Sequence, residues 1–143
     1  MPISDAHVGR TYPPTPPYLV SRAKIAEFAT ALQDGNPAYA AGVAPPTFAA
    51  VLAADAWGAL FADEELDLQL SRTLHADQRF SWTRPLRAGD EVIATLAITR
   101  VRTRANTAFV TVDVVLSSVA GEELCVATST LLHTWPIGHE EEA

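Results

Sequence analysis

Cysteine is almost absent from this sequence: Cys125 stands alone in an apolar run, so no intrachain disulfide and no multi-cysteine metal site can form. A reducing, cytoplasmic setting is expected. Cations are also scarce, with 10 Lys and Arg against 17 Asp and Glu and a formal charge of -7. A chain this acidic lacks the clustered basic side chains that drive binding to a phosphate backbone, so no nucleic-acid partner is expected. No apolar run is long enough for a bilayer, and residues 1–17 lack a charged start followed by an apolar stretch, so neither a membrane span nor a secretion signal is expected. The four histidines, His7, His75, His133 and His139, have no partners at ligand spacing, and no metal site is expected.

What is present is apolar residue in quantity. With 143 residues, 48% of them hydrophobic, the chain has the size and composition of one domain spanning 1–143. Residues 1–20 form a proline-rich lead-in, where Pro13, Pro14, Pro16 and Pro17 keep the backbone extended. From Ser21, a fitting N-cap, Ile25, Phe28, Ala29 and Leu32 fall on one face of a helix. Gln33-Asp34-Gly35-Asn36-Pro37 follows as a loop. A second helix starts at Pro45-Pro46-Thr47 and runs apolar from Phe48 to Leu60, with Val51, Leu52, Trp57 and Leu60 around its circumference and only Asp55 charged. Such a helix is expected to be buried nearly all round, and its alanines make it thin enough for close approach by a curved sheet.

Beyond Asp63-Glu64-Glu65 the pattern changes period. Strands are expected at Thr73–Thr83, Glu91–Arg104, Thr107–Ser117 and Glu122–Thr134; in the third, Ala108, Val110, Val112, Val114 and Leu116 alternate with more polar residues. The short breaks between strands favour antiparallel neighbours. Helices followed by a run of long strands indicate an α+β domain. The acidic tail, 138–143, is expected to fray, and His7 and His139 to lie in mobile termini.

Three stretches, spread over most of the chain, together resemble the MaoC-like family of (R)-specific enoyl-thioester hydratases and hydroxyacyl-thioester dehydratases. Asp34-Gly35-Asn36-Pro37-Ala38-Tyr39 is similar to the hydratase motif, Val43-Ala44-Pro45-Pro46-Thr47-Phe48 to the entry of the family's central helix, and Arg84-Pro85-Leu86-Arg87-Ala88-Gly89-Asp90 to a turn shared by many hot-dog proteins. The resemblance implies a hot-dog fold, an antiparallel sheet wrapped around a long apolar central helix. It implies an acyl thioester of coenzyme A or acyl carrier protein as substrate, with no other cofactor. In active members an Asp and a His move the α-proton and the water, while N–H groups at the central helix N-terminus polarise the carbonyl. Carried onto this chain, the resemblance makes Asp34 the catalytic carboxylate and Asn36, Pro46, Thr47, Phe48 and Trp57 candidates for substrate binding.

Two departures matter. Tyr39 occupies the position of the motif's His, five residues after Asp34. A phenol with a pKa of about 10 would need a shift of roughly three units, about 4 kcal/mol, to act as a base near neutrality. Only Ala40-Ala41-Gly42 separates Tyr39 from Val43, where catalytic relatives carry a longer overhanging segment. Both features resemble the non-catalytic subunit of the mycobacterial-type heterodimeric (3R)-hydroxyacyl-carrier-protein dehydratases, whose partner carries the intact Asp/His pair. The expected function is thus an acyl-thioester-binding dehydratase or hydratase subunit. Two alternatives stand beside it: a self-sufficient hydratase using Asp34 with Tyr39 or His75, and a non-enzymatic acyl-binding or regulatory module. Asp34 and Asn36 also have a plain structural reading as turn formers, and His75 as a packing residue. A sheet wrapped round one helix presents two edges, and exposed edges pair. Light scattering at micromolar concentration should therefore show a dimer, with a like chain or a His-retaining relative continuing the sheet; a monodisperse, fully stable monomer would refute it.

Overall fold

The structure, a computed structural model, describes residues 2–137; the expected acidic tail and His139 lie outside them. Short strand β1 (Tyr18–Leu19) leads into helix α1 (Arg22–Leu32), a one-turn helix α2 (Pro37–Ala40) and the central helix α3 (Ala49–Ala62), which a 3-10 turn at Pro46–Phe48 introduces. Four long strands follow: β2 (Thr73–Trp82), β3 (Glu91–Arg104), β4 (Thr107–Ser118) and β5 (Glu123–Thr134). They form one five-stranded antiparallel sheet in the order β1-β3-β4-β5-β2, curled around α3 as the hot-dog expectation requires.

Local chemistry sets these elements. Ser21 caps α1 by accepting the Lys24 N–H at 3.1 Å, and Gln33 ends it in the left-handed conformation at φ 55°. In β4 the alternation carries Ala108, Val110, Val112, Val114 and Leu116 to the interior, where they meet Leu52, Ala53, Ala56 and Leu60 of α3. Register shifts between Ile98 and Arg100 and between His75 and Asp77 leave one extra residue in β3 and one in β2, the irregularity that lets a sheet curl. Cys125 is fully buried, and burial pushes its thiol pKa up to about 11, so it is inert packing rather than a nucleophile.

Two expectations need correction. Helix α3 is not buried all round: Val51, Ala54, Asp55 and Gly58 form an exposed stripe, because the sheet embraces the helix from one side only. His7 is not in a mobile terminus; its Nδ1 accepts the Ser4 N–H at 3.0 Å in a capped turn. The lead-in is extended but not idle. Between its prolines it bonds along β3 through Gly9 N–H to Ile98 O at 2.8 Å, Tyr12 N–H to Leu96 O at 3.0 Å and Thr15 N–H to Ala94 O at 2.9 Å. Tyr12 then donates its hydroxyl to Asp63 at 2.6 Å, and Arg10 pairs with Asp63 at 2.8 Å, clipping the lead-in to the end of α3. One edge of the sheet is therefore covered by the chain itself, and among the described residues no strand pairs with the outer edge of β2.

The turn between β2 and β3 holds the helical layer to the sheet. Arg84 pairs with Asp90 at 2.9 Å and with Glu122 at 3.0 Å, while Asp90 also accepts the Arg87 N–H at 2.7 Å. Backbone bonds from Ala44 N–H to Leu86 O and from Ala88 N–H to Gly42 O, each 2.8 Å, fasten the segment before α3 onto this turn. Burial raises the Asp90 pKa, but the Arg84 guanidinium and the Arg87 N–H outweigh it and hold the carboxyl below its usual range. A carboxyl lowered on folding stabilises above its unfolded pKa and loses that contribution as pH falls through the folded value. Asp90→Asn should thus cost roughly 1.5–3 kcal/mol at pH 7, the range for hydrogen bonds to a charged group. Thermal melts should show the gap to wild type closing as pH falls below the usual carboxylate range.

Candidate functional site

Sequence order already brings part of the site together. After the left-handed residue Gln33, the carboxylate of Asp34 turns back on its own loop: Oδ1 accepts the Asn36 N–H at 3.2 Å. Asn36 in turn caps α2 through the Ala38 N–H at 3.0 Å. The turn-forming roles of both residues are thus real. They also serve the site, because α2 sets Tyr39 so that its hydroxyl donates to Asp34 Oδ2 at 3.1 Å. Partial burial pushes the Tyr39 pKa above its ordinary value, and the Asp34 carboxylate pushes it the same way. The phenol is held protonated, the reverse of what a general base needs.

The return from α2 is tight. Gly42 adopts φ +98°, and a Cβ there would lie 3.3 Å from the Arg22 guanidinium, which itself donates to Ala40 O at 3.2 Å. This three-residue link leaves the outer side of the site uncovered. Tyr39, Asn36, Val43 and Pro46 then line an open cavity of about 310 Å3 together with Trp82 and Pro85 from the end of β2 and its turn. Its walls are mainly apolar, with Tyr39 at one side. At the entry to α3 no side chain caps the helix; the Phe48 N–H bonds Pro45 O at 2.9 Å and the Ala49 N–H bonds Thr47 O, and Thr47 is exposed at the start of this turn beside Pro46. A cavity of this kind can receive an apolar chain and place a carbonyl near the helix N-terminus.

The other candidates fall elsewhere. Phe48 is fully buried and packs against Phe28 and Tyr18, with ring centroids 5.4 Å and 6.4 Å away; it anchors the helix entry from below. Trp57 and His75 meet each other edge to face at 5.0 Å, far along β2 from Trp82. His75 Nε2 also lies 3.0 Å from Gln78 Oε1. His133 is buried, and its Nε2 accepts the Gln69 N–H at 3.0 Å. Sequence reasoning passed over Trp82 and Pro85. The signal was there, since Trp82 stands just ahead of the Arg84–Asp90 turn, but linking it to Tyr39 requires knowing that the turn bonds to the segment before α3. Among the described residues no cluster of His, Cys, Asp or Glu could hold a metal, and no helix is long and apolar enough to cross a membrane.

Known proteins share this combination of loop, helix and sheet. A profile described as FAS1-like, dehydratase domain region, matches residues 6–127. The UPF0336 protein of Cutibacterium acnes is 58% identical over 141 residues, covering 97% of this chain and 99% of that protein. Among solved structures, a C-terminally truncated HadBC (3R-hydroxyacyl-ACP dehydratase) complex from Mycobacterium tuberculosis superposes with a TM-score of 0.76 at 28% identity, over 88% of this chain and 96% of that chain. A MaoC-like dehydratase gives a TM-score of 0.81 at 28% identity, covering 95% of this chain and 44% of the longer one. The chain thus belongs to the FAS1-like dehydratase domain region family, with the MaoC-like hot-dog fold and the UPF0336 proteins as its relatives.

Proposed function

We propose that this chain is an acyl-thioester-binding subunit of a cytoplasmic (R)-3-hydroxyacyl-thioester dehydratase or enoyl-thioester hydratase, whose general base is supplied by a related hot-dog subunit that keeps the histidine. The observation that carries the reading is Tyr39, which lines the apolar cavity and whose hydroxyl is fixed as a donor on Asp34. Dehydration breaks a Cα–H and a Cβ–O bond: a base takes the α-proton, and an acid protonates the leaving hydroxyl as water departs. A protonated tyrosine can give a proton but cannot accept the first one near pH 7. Binding needs neither step. The cavity receives the acyl chain of a coenzyme A or carrier-protein thioester, and the α3 N-terminus receives its carbonyl. The resemblance to a HadBC dehydratase complex supports a two-subunit enzyme.

One observation favours a second reading. The same hydrogen bond gives Asp34 and Tyr39 the geometry of an acid/base pair, with the carboxylate as base, and that arrangement would make the chain self-sufficient. His75 does not join such a pair within one chain, because it stands seven positions along the strand from Trp82, at about 3.3 Å each.

Octanoyl-CoA should raise the melting temperature progressively with ligand concentration, by mass action, and Trp82→Ala should abolish the rise. No shift with any acyl length or carrier would remove the support for acyl binding. The purified chain should hydrate crotonyl-CoA about 10²–10⁴-fold more slowly than a complex with a MaoC-like subunit that has the intact Asp/His pair, the usual cost of a missing general base. In that complex Tyr39→Phe should leave turnover within about threefold, while replacing the other subunit's His should abolish it. High activity from the purified chain, lost in Asp34→Asn or Tyr39→Phe, would establish the self-sufficient enzyme instead. Acyl binding without turnover in any combination would leave a non-enzymatic acyl-binding module.

A further inference from the structure

The face of the sheet turned away from α3 carries a second pocket. Along β3 the alternation sends Val92, Ala94, Leu96 and Ile98 to the core, and unbroken it would send Arg100 inward as well. The register shift between Ile98 and Arg100 prevents this: Thr99 and Arg100 both lie exposed, and Val101 takes the next buried place. An irregularity of this kind re-aims a side chain. It brings Arg100 onto the same face as Arg102, so that two of the chain's few cations share one small area.

Cross-strand register builds the rest. Arg100 stands opposite Thr111, and Thr111 opposite Thr130. Arg102 stands opposite Phe109 and lies over its ring, 5.1 Å from the centroid, which holds the guanidinium in place. These five residues line a pocket of about 120 Å3. Its polar side chains are two guanidiniums and two hydroxyls, all able to donate. Among the described residues neither arginine enters an ion pair, and neither threonine hydroxyl has a hydrogen-bond partner. The carboxylates at neighbouring positions of this face are engaged elsewhere: Asp77, opposite Thr130, pairs with Arg79 at 3.2 Å, and Asp113 accepts the Thr128 hydroxyl at 2.7 Å.

We propose that this pocket binds a dianionic phosphate group, carried by a small phosphate monoester or present as free phosphate. Three charge-bearing oxygens can accept from both guanidiniums and both hydroxyls at once, and the planar arginine forks match them in pairs. A carboxylate brings one charge and two oxygens, and leaves donors unmet. The site is separate from the acyl cavity, which lies on the α3 side: Thr130 is five positions along β5 from Cys125, the partner of Trp82, roughly 17 Å away. The proposal therefore stands whether or not the cavity takes an acyl thioester.

Calorimetric titration of the full chain with glycerol 3-phosphate and with inorganic phosphate tests it, at about pH 8 where the second phosphate proton is lost. Binding should saturate at one site per chain, while chloride at the same ionic strength gives no saturable signal; the tighter of the two phosphates names the source. Arg100→Gln and Arg102→Gln should each weaken binding about tenfold or more, the usual consequence of losing a charged hydrogen-bond donor. Both arginines are exposed, so these variants keep the fold. Arg104→Gln is the control, because Arg104 shares the strand but not the pocket, and it should leave affinity within about twofold. Octanoyl-pantetheine, which has no phosphate, should act on Arg100→Gln as it acts on wild type. A response to phosphate no larger than that to chloride, or an equal loss in Arg104→Gln, would reduce the site to a diffuse field of counter-ions and overturn the proposal.

Discussion

Everything in this fold answers to one demand, that the apolar face of α3 be covered by a single curved sheet. Leu52, Ala53, Ala56 and Leu60 offer a thin, small-residue surface, and the inward residues of β3, β4 and β5 close on it. The buried alanines Ala49, Ala53 and Ala56 let the strands approach, and three register irregularities let them bend. The sheet cannot surround the helix from one chain's strands, so one side of α3 stays exposed and the β2 edge stays unpaired.

The second organising contact is electrostatic and local. Arg84 joins the β2–β3 turn to Asp90 and to Glu122 of the neighbouring hairpin, and that rigid turn is where the segment before α3 is tied down by Leu86 and Gly42. With Arg84 and Asp90 both largely shielded from water, the pair is screened less than an ordinary surface ion pair. The cavity owes its shape to this arrangement, since Tyr39 comes from the tied segment and Trp82 from the strand that enters the turn.

Much of this was legible in the residues themselves. The alternation in β4, the Ser21 cap and the bounds of β3 follow from side-chain period and turn chemistry, which depend only on near neighbours. The motif stretch identified Asp34, Asn36 and Tyr39, and the structure brings these three together. What escaped was decided at long range. Proline argues against a strand, yet the lead-in pairs with β3 through the residues between its prolines, and nothing local reports that. Phe48 sits beside the helix entry in sequence but points into the core, because Phe28 and Tyr18 wait for it there. Val51, Ala54 and Gly58 look like interior residues by composition, and only the reach of the sheet leaves them outside.

The pairing of β2 with β5 has a bearing on how the chain reaches this state. Strands β3, β4 and β5 are consecutive neighbours joined by short turns, so their contacts close small loops. Strand β2 must instead find β5 across the whole intervening meander, with Trp82 opposite Cys125, and the lead-in must find β3 from about eighty to ninety residues away. Loop-closure entropy makes contacts of that separation costly to form before the meander exists to receive them. Trp82 and the motif loop stand on opposite sides of this late closure. The cavity between Tyr39 and Trp82 is therefore among the last features to be assembled, and an incompletely folded chain, however much sheet it holds, has no site to occupy.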